Sequence, residues 1–290
     1  MSRPHVVTSS ELQSLRDLEL VTKATVEGLR QGLHRSPFHG YSAEFSQYRH
    51  YRPGDDLKYV DWKAFARTDR IYTRQFRETT NVSALCVPDV SRSMNFGAKF
   101  TMARTVAAIL GTLVLDQGDA AGVFAVSERA HYLPPRSGRH QLRTLLSELA
   151  SLEPTGTVSM AESLRRAAAV LKRRGLVIVI SDLYEDQETI GQVRRLARMG
   201  HDVIVVHVLA KEEVTLDVGG AAEFVELETG RKLLVQPSAA RESYLTAVRN
   251  WMEEVERQVR RDGIDYLRLI AGEALEPALR RFLVGRKGAA

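Results

Sequence analysis

The run Asp89-Val90-Ser91-Arg92-Ser93-Met94 follows directly on an apolar stretch, Val82 to Val87, that ends at Pro88. A carboxylate and two hydroxyls at steps of two and four residues add three oxygens to a common side of one turn. A second carboxylate, Asp182, follows Ser181 at the end of another apolar run, Leu176 to Ile180. The segment Pro154-Thr155-Gly156-Thr157 adds a further hydroxyl ahead of a helix start. Asp89, Ser91, Ser93, Thr157 and Asp182 make an all-oxygen set, with Thr155 as the competing second-loop residue. Such a set suits a hard divalent cation, Mg²⁺ first and Mn²⁺ or Ca²⁺ as alternatives. The chemistry is recognition more than catalysis. With neutral hydroxyls among its ligands, the ion keeps a sixth position that can accept a carboxylate from a partner protein. The structural alternative is that Asp89 and Ser91 cap the next helix and Asp182 is a turn residue.

For these residues to meet, the apolar runs must be neighbouring strands. Val82–Val87, Ala121–Val126, Leu176–Ile180 and Val203–Leu209 are nearly continuous rather than alternating. That pattern predicts a parallel sheet covered on both faces. Helical stripes lie between them: Phe100, Ala103, Ala107, Leu110 and Val114; Leu142, Leu145 and Leu149; Met160, Leu164, Ala167, Ala168 and Leu171; Ile190, Val193 and Ala197. The alternation predicts an α/β, doubly wound, mostly parallel sheet with helices on both faces. Ligands of such sheets bind beyond the carboxyl ends of the strands, where strand order reverses. Arg129–Pro135 reads as an edge strand, and Phe224–Leu227 with Leu233–Val235 as a late hairpin. A long helix through Leu245–Val259, a strand over Ile264–Ile270 and a short helix to Leu283 complete the pattern.

The chain before residue 80 has a different composition. Between Arg30 and Arg77 there are ten Lys or Arg against five Asp or Glu, while the rest of the chain is balanced. Ten of the twenty aromatic residues lie in the same stretch. A helix is predicted over Ser10–Leu33, from Leu12, Leu15, Leu18, Val26, Leu29 and Leu33 with a slip at Thr22. Gly40 to Thr79 is irregular, with a turn at Pro53-Gly54-Asp55-Asp56 and a short strand over Ile71–Arg77. The expected division is an N-terminal module at 1–80, an α/β domain at 81–285 and a frayed tail at 286–290.

At 290 residues with a net charge of +5, the chain is long enough for a sizeable core. Its single cysteine, Cys86, excludes a disulfide framework and a cysteine-rich zinc site. No apolar run reaches the length of a membrane helix, and Met1–Leu20 lacks the pattern of a secretory signal. A cytoplasmic location is expected, with peripheral attachment only through a partner.

The residues Asp89, Ser91, Ser93, Thr157 and Asp182, in this order and strand context, resemble a von Willebrand factor A-type domain with a metal-ion-dependent adhesion site. In that family one of the two aspartates usually acts through water. Upstream, Gly40-Tyr41-Ser42-Ala43-Glu44-Phe45, Arg49-His50-Tyr51-Arg52-Pro53-Gly54-Asp55-Asp56 and Val60-Asp61-Trp62-Lys63-Ala64-Phe65-Ala66-Arg67 resemble the signature of the DUF58 family. Its members place that signature just before a von Willebrand A-like domain. The resemblance implies a non-enzymatic adaptor working with a MoxR-type AAA+ ATPase and a client protein, in assembly or chaperoning of complexes. It implies the short form without the N-terminal membrane helices of many relatives. Arg52, Asp55, Asp56, Asp61, Trp62 and Arg67 are the candidate partner surface; alternatively the charged residues form architectural ion pairs, with Trp62 and Phe65 as core.

Other functions fit less well. There is no phosphate-cradling Gly-x-x-x-x-Gly-Lys-Ser/Thr loop and no Gly-x-Ser-x-Gly elbow. An aspartyl-phosphate phosphatase needs an acid two residues after Asp89, where Ser91 stands. His131, His140, His201 and His207 are isolated in the sequence, and His207, in an apolar strand, reads as a satisfied core histidine. Nucleic-acid binding through the basic, aromatic 30–77 stretch is the main alternative, although its aromatics alternate with acids. A metal-dependent hydrolase is a third reading that lacks an evident general base.

Overall fold

The computed structural model describes residues 9–30, 38, 43–52, 55, 60–78, 82–127, 130–155, 158–184, 186–217, 222–225, 232–235 and 237–287. In chain order the elements begin with α1 (Ser9–Arg30), β1 (Ala43–His50), α2 (Trp62–Thr68), β2 (Tyr72–Glu78), β3 (Ser83–Pro88), α3 (Lys99–Asp116), β4 (Ala120–Val126) and β5 (Ala130–Arg136). They continue with α4 (Arg139–Ser151), α5 (Met160–Val170), β6 (Leu176–Ser181), α6 (Asp186–Arg198), β7 (Asp202–Leu209) and α7 (Lys211–Thr215). The last are β8 (Ala222–Val225), β9 (Lys232–Val235), α8 (Pro237–Arg261), β10 (Asp265–Ile270) and α9 (Leu275–Lys287).

Two units result, one of residues 1–37 and 83–290, the other of residues 38–82. This differs from the expected 1–80 module. Leu18, Thr22, Val26 and Leu29 form one buried stripe on α1, and α1 packs on α3, α4 and α9. The slip at Thr22 is thus a polar residue inside the apolar face. The helix falls with the C-terminal unit because its stripe has its partner there. The expected frayed tail starts too early as well: α9 runs to Lys287, and Arg286, almost fully buried, pairs with Asp202 and Asp265.

In the larger unit a six-stranded sheet runs β10-β7-β6-β3-β4-β5. All neighbours are parallel except β4 and β5. β3 and β6 are buried almost throughout, as their continuous apolar sequences require. One face is covered by α5, α6 and α8, which bring Leu164, Val193 and Val255 into one cluster with Leu85, Val87, Val177 and Val179. On α3, Ala103, Ala107 and Leu110 are fully buried; this helix lies against β3, β4, β6 and β7 and also carries α1 and α4. It is apolar nearly all round because it is covered nearly all round. The parallel strands end at one rim, where the loops after β3, β6 and β7 meet.

β5 is an antiparallel edge strand whose Pro134 and Pro135 cannot donate ladder hydrogen bonds, as edge positions tolerate. The register with β4 shifts between Ala121 and Val123, and Gly122 sits under the shift. A β-carbon there would lie 2.3 Å from the Leu133 carbonyl oxygen and 2.7 Å from the Pro135 nitrogen.

In the unit 38–82, β1 and β2 pair antiparallel from Ala43 with Glu78 to His50 with Tyr72. A register shift between Phe45 and Gln47 interrupts the two-residue period of β1. That break explains why the sequence marks one strand of the pair and leaves its partner unidentified. Asp61 caps α2: its Oδ1 accepts the Lys63 and Ala64 N–H groups, at 3.0 and 2.9 Å.

Gly122→Ala is therefore expected to destabilise the protein by about 1–3 kcal/mol, since backbone atoms of β5 must move to admit a methyl group. Thermal melting checks this; an unchanged Tm would mean that the edge strand yields freely.

Candidate functional site

β3 lies between β4, its successor in the sheet, and β6, from which the chain proceeds the other way to β7. Strand order reverses between β3 and β6, so the crevice beyond their carboxyl ends is the topological switch point. Asp89 leaves β3 there and Asp182 leaves β6, and the backbone N–H of Asp89 donates to the Ile180 carbonyl at 2.8 Å. The two carboxylates named from sequence are thus brought to one crevice, both nearly fully buried.

Asp89 is held by the turn that it begins. Its Oδ1 accepts the Ser91 N–H at 2.9 Å, and its Oδ2 accepts the Ser181 hydroxyl at 2.6 Å. The Ser91 and Ser93 hydroxyl oxygens lie 3.0 Å apart. A short 3₁₀ turn follows at Arg92–Asn95, and α3 starts only at Lys99, with Ala98 as its N-cap and no side-chain capping bond. Asp89 therefore does not cap α3. Asn95 Nδ2 donates to the Pro154 carbonyl at 2.7 Å, which ties the second loop to this turn.

These side chains enclose a cavity of about 40 Å³, lined by Asp89, Ser91, Ser93, Met160, Ser181, Asp182, Tyr184 and Thr189. The volume suits one ion or one or two waters. Thr189, on the first turns of α6, is fully buried, and its hydroxyl has no hydrogen-bond partner among the described residues. An orphan hydroxyl on the wall of a polar cavity calls for a further polar species inside it. Together with one carboxylate and three serine hydroxyls, it fits a hard cation that retains water. Among the described residues no three His, Cys, Asp or Glu side chains are grouped to hold a metal, so any ion here would rest largely on hydroxyl oxygens.

The sequence reading missed the most consequential neighbour. Lys99, the first residue of α3, is 1% exposed. Its Nζ donates to Asp182 Oδ2 at 2.8 Å and to Glu213 Oε1 at 2.7 Å. It also lies 5.0 Å from the centroid of the Tyr184 ring. Glu213 belongs to the five-residue α7, just beyond β7, and its Oε2 accepts the Ala210 N–H at 2.7 Å. Three adjacent strands thus each end in a carboxylate, and one buried ammonium joins two of them. Removing a single partner from such a group leaves a charge buried without compensation, at about 3–5 kcal/mol.

The loop carrying Asp182 is braced from below. His207 Nε2 faces the Asp182 carbonyl oxygen at 2.9 Å, and its Nδ1 faces the Tyr266 hydroxyl at 2.7 Å. A carbonyl only accepts, so Nε2 carries the proton and Nδ1 accepts from Tyr266. Burial pushes the His207 pKa down to about 4, so the ring is neutral. It is the satisfied core histidine that its apolar strand suggests. His131 is not isolated: its Nδ1 lies 3.0 Å from Glu148 Oε1. Trp251 of α8 stacks on Tyr184 at 5.2 Å and meets His207 edge-on.

Of the other residues singled out, Thr155 is exposed and is not among the residues that line the cavity. Thr157 and Asp56 lie outside the described residues. Asp55 accepts the Arg52 N–H at 2.9 Å, the Arg49 guanidinium at 2.7 Å and the Thr73 hydroxyl at 3.3 Å, bonds that hold its carboxyl below the usual range. Asp61, besides capping α2, accepts the Tyr48 hydroxyl at 2.9 Å. Both carboxylates thus bind groups of their own unit. Arg52 and Arg67 are exposed. Trp62, read as core in the architectural alternative, is 57% exposed and meets Phe65 edge-on.

Burial, and after it the charge of Asp182, pushes the Asp89 pKa up from 3.8 to about 6. The folded state therefore holds this proton more tightly than the unfolded chain. Between pH 3.8 and about 6 the native state binds more protons, so this contribution to stability falls as pH rises and is lowest above the window. Asp89→Asn removes the buried charge and keeps an oxygen acceptor. In EDTA the variant is expected to be more stable than wild type by up to about 3 kcal/mol at pH 7.5. The gap should close below pH 4 or so, and chemical denaturation at the two pH values checks it. A destabilised variant at pH 7.5 would show that the charge is compensated.

Across 287 aligned residues the chain is 28% identical to "Uncharacterized protein Rv1480" of Mycobacterium tuberculosis, over 94% of this chain and 89% of that one. The structure is similar to that of the conserved hypothetical protein BatB from Bacteroides thetaiotaomicron, with 18% identity, a TM-score of 0.47 and coverage of 71% of this chain and 99% of that one. It is also similar to the VWA domain of SpRpn10, with 13% identity, a TM-score of 0.39 and coverage of 68% and 93%. Residues 47–254, well over half of the sequence, match the family described as "Protein of unknown function DUF58", and the chain belongs to that family.

Proposed function

We propose that this chain is a non-enzymatic, metal-dependent interaction module whose crevice captures an acidic side chain of a partner protein. The observation that carries the reading is the convergence of Asp89, Ser91, Ser93 and Ser181 on one small cavity that also contains the unpartnered hydroxyl of Thr189. A hard divalent ion, Mg²⁺ first with Mn²⁺ or Ca²⁺ as alternatives, would supply there an open coordination position for an incoming carboxylate. In this reading Asp89 gives the negative charge, Ser91 and Ser93 give neutral oxygens, and Asp182 acts from further out. Thr157 remains the second-loop candidate.

Recognition is favoured over hydrolysis by the state of the neighbouring groups. His207 has both ring nitrogens engaged and is neutral. Asp182 is paired with Lys99. Neither is free to act as general base. The exposed aromatics at the crevice rim, Phe96 and Tyr184, give a partner apolar surface around its acid. We propose a MoxR-type AAA+ ATPase or its client as that partner, in the assembly of protein complexes. Trp62 and Arg67 are exposed on the 38–82 unit as a second contact surface for the same partner.

Calorimetric titration of Mg²⁺ into the metal-free protein is expected to give binding heat in wild type and none in Asp89→Ala, with both proteins folded by circular dichroism. Capture of an ATPase of this type should be lost in EDTA and in the variant. Capture that persists unchanged in EDTA would remove the metal from the mechanism.

A further inference from the structure

Lys99 is a buried ammonium paired with Asp182, a residue that lines the proposed cation site, and this conflict has a definite resolution. Its Nζ lies 2.8 Å from one oxygen of Asp182, which faces the cavity, and 2.7 Å from Glu213, which is not among the cavity's lining residues. The side chain is 1% exposed, and two aromatic rings lie within 6 Å of the ammonium. The other oxygen of Asp182 receives only a long contact, 3.4 Å, from the Tyr184 N–H. Among the described residues Asp89, by contrast, has no cationic partner: its oxygens accept a backbone N–H and a serine hydroxyl.

We infer that Lys99 is the resident counter-cation of the crevice, neutralising Asp182 so that an incoming divalent ion meets one uncompensated carboxylate, Asp89, and is held firmly only when an anion from outside completes its charge. This inference rests on the metal-dependent reading above and adds the device that makes capture of the ion and capture of an acidic partner mutually dependent. With Lys99 in place, Asp89, Asp182, the ammonium and a divalent ion sum to one positive charge; Glu213, which does not line the cavity, brings only the wider cluster to zero. The ammonium also repels the ion across a poorly solvated gap. A carboxylate ligand cancels the excess, and linkage requires each ligand to raise the affinity for the other by the same factor. The glutamate has a separate part. It fixes the ammonium on the side of α7, and the Tyr244 hydroxyl on α8 donates to its backbone carbonyl at 2.8 Å.

The test uses the full chain, Mn²⁺ alone as the ion and acetate as the carboxylate probe, with bound Mn²⁺ read from loss of the free-ion EPR signal. Lys99→Met combined with Glu213→Gln removes one positive and one negative charge, so the net charge of the wider cluster is unchanged, the ammonium beside Asp182 is gone and no buried glutamate is left unpaired. This double variant is expected to bind Mn²⁺ roughly tenfold more tightly than wild type or better. Acetate should strengthen Mn²⁺ binding in wild type and have no effect in the double variant. Glu213→Gln alone, which keeps Lys99 on Asp182, should bind no more tightly than wild type. Thermal melts confirm that each variant is folded. If wild type and the double variant bind Mn²⁺ within about twofold of each other, with the same response to acetate, the role of Lys99 is refuted and the metal site stands. If neither binds Mn²⁺ with or without acetate, the metal-dependent reading fails and takes this inference with it.

Discussion

The buried ammonium of Lys99 is the constraint around which the rim of the sheet is organised. A lysine with almost no exposure demands anionic partners, and it has two, from the ends of β6 and β7. To reach them it must stand at the first turn of α3, where the positive end of the helix makes a cation less welcome still. The sheet and α1 hold α3 from opposite sides, so this placement is fixed by apolar packing far from the crevice. The polar arrangement depends on the core behind it, as buried ion pairs do when their geometry has to be good.

The crevice then divides into two halves of different character. Around Asp89 the partners are neutral, a backbone amide and a serine hydroxyl, and the Thr189 hydroxyl, without a hydrogen-bond partner among the described residues, lines the same cavity. Around Asp182 they are charged or braced: an ammonium at its side chain and a histidine at its carbonyl. The first half keeps unmet capacity for a ligand. The second is tied down by charge and hydrogen bonding, and it is coupled through Trp251 and Tyr244 to α8. In a family described only as of unknown function, this asymmetry is the most specific structural pointer to what the crevice does.

Much of this was legible in the sequence. Runs such as Leu176–Ile180 announce strands buried on both faces, and Asp89 and Asp182 stand at strand ends where an α/β sheet binds ligands. What connects them was not. Lys99 and Glu213 are 114 residues apart, and neither belongs to a local pattern. A lysine opening a helix and a glutamate in a five-residue helix look like ordinary surface residues until the fold sets them 2.7 Å apart. Thr189 was hidden in the same way, as one polar residue in the first turns of an amphipathic helix. The register shift after Phe45 masked β1, because a single extra residue reverses the alternation by which strands are recognised. The partner of α1 was illegible for another reason: a buried stripe states that something covers it, not what.

The prolines of β5 bear on how copies of this domain can associate. An uncapped edge strand offers unpaired amides and carbonyls to any passing strand, the usual route to runaway polymerisation. At Pro134 and Pro135 two successive positions have no amide to offer, and the register is already irregular opposite them. Of two successive strand residues one points its amide outward, so the prolines remove a donor from the free edge and, with the irregular register, make β5 a poor template for growth of the sheet from one molecule into the next. In higher-order assemblies that include this domain, side-chain contacts are thereby favoured over backbone pairing along β5.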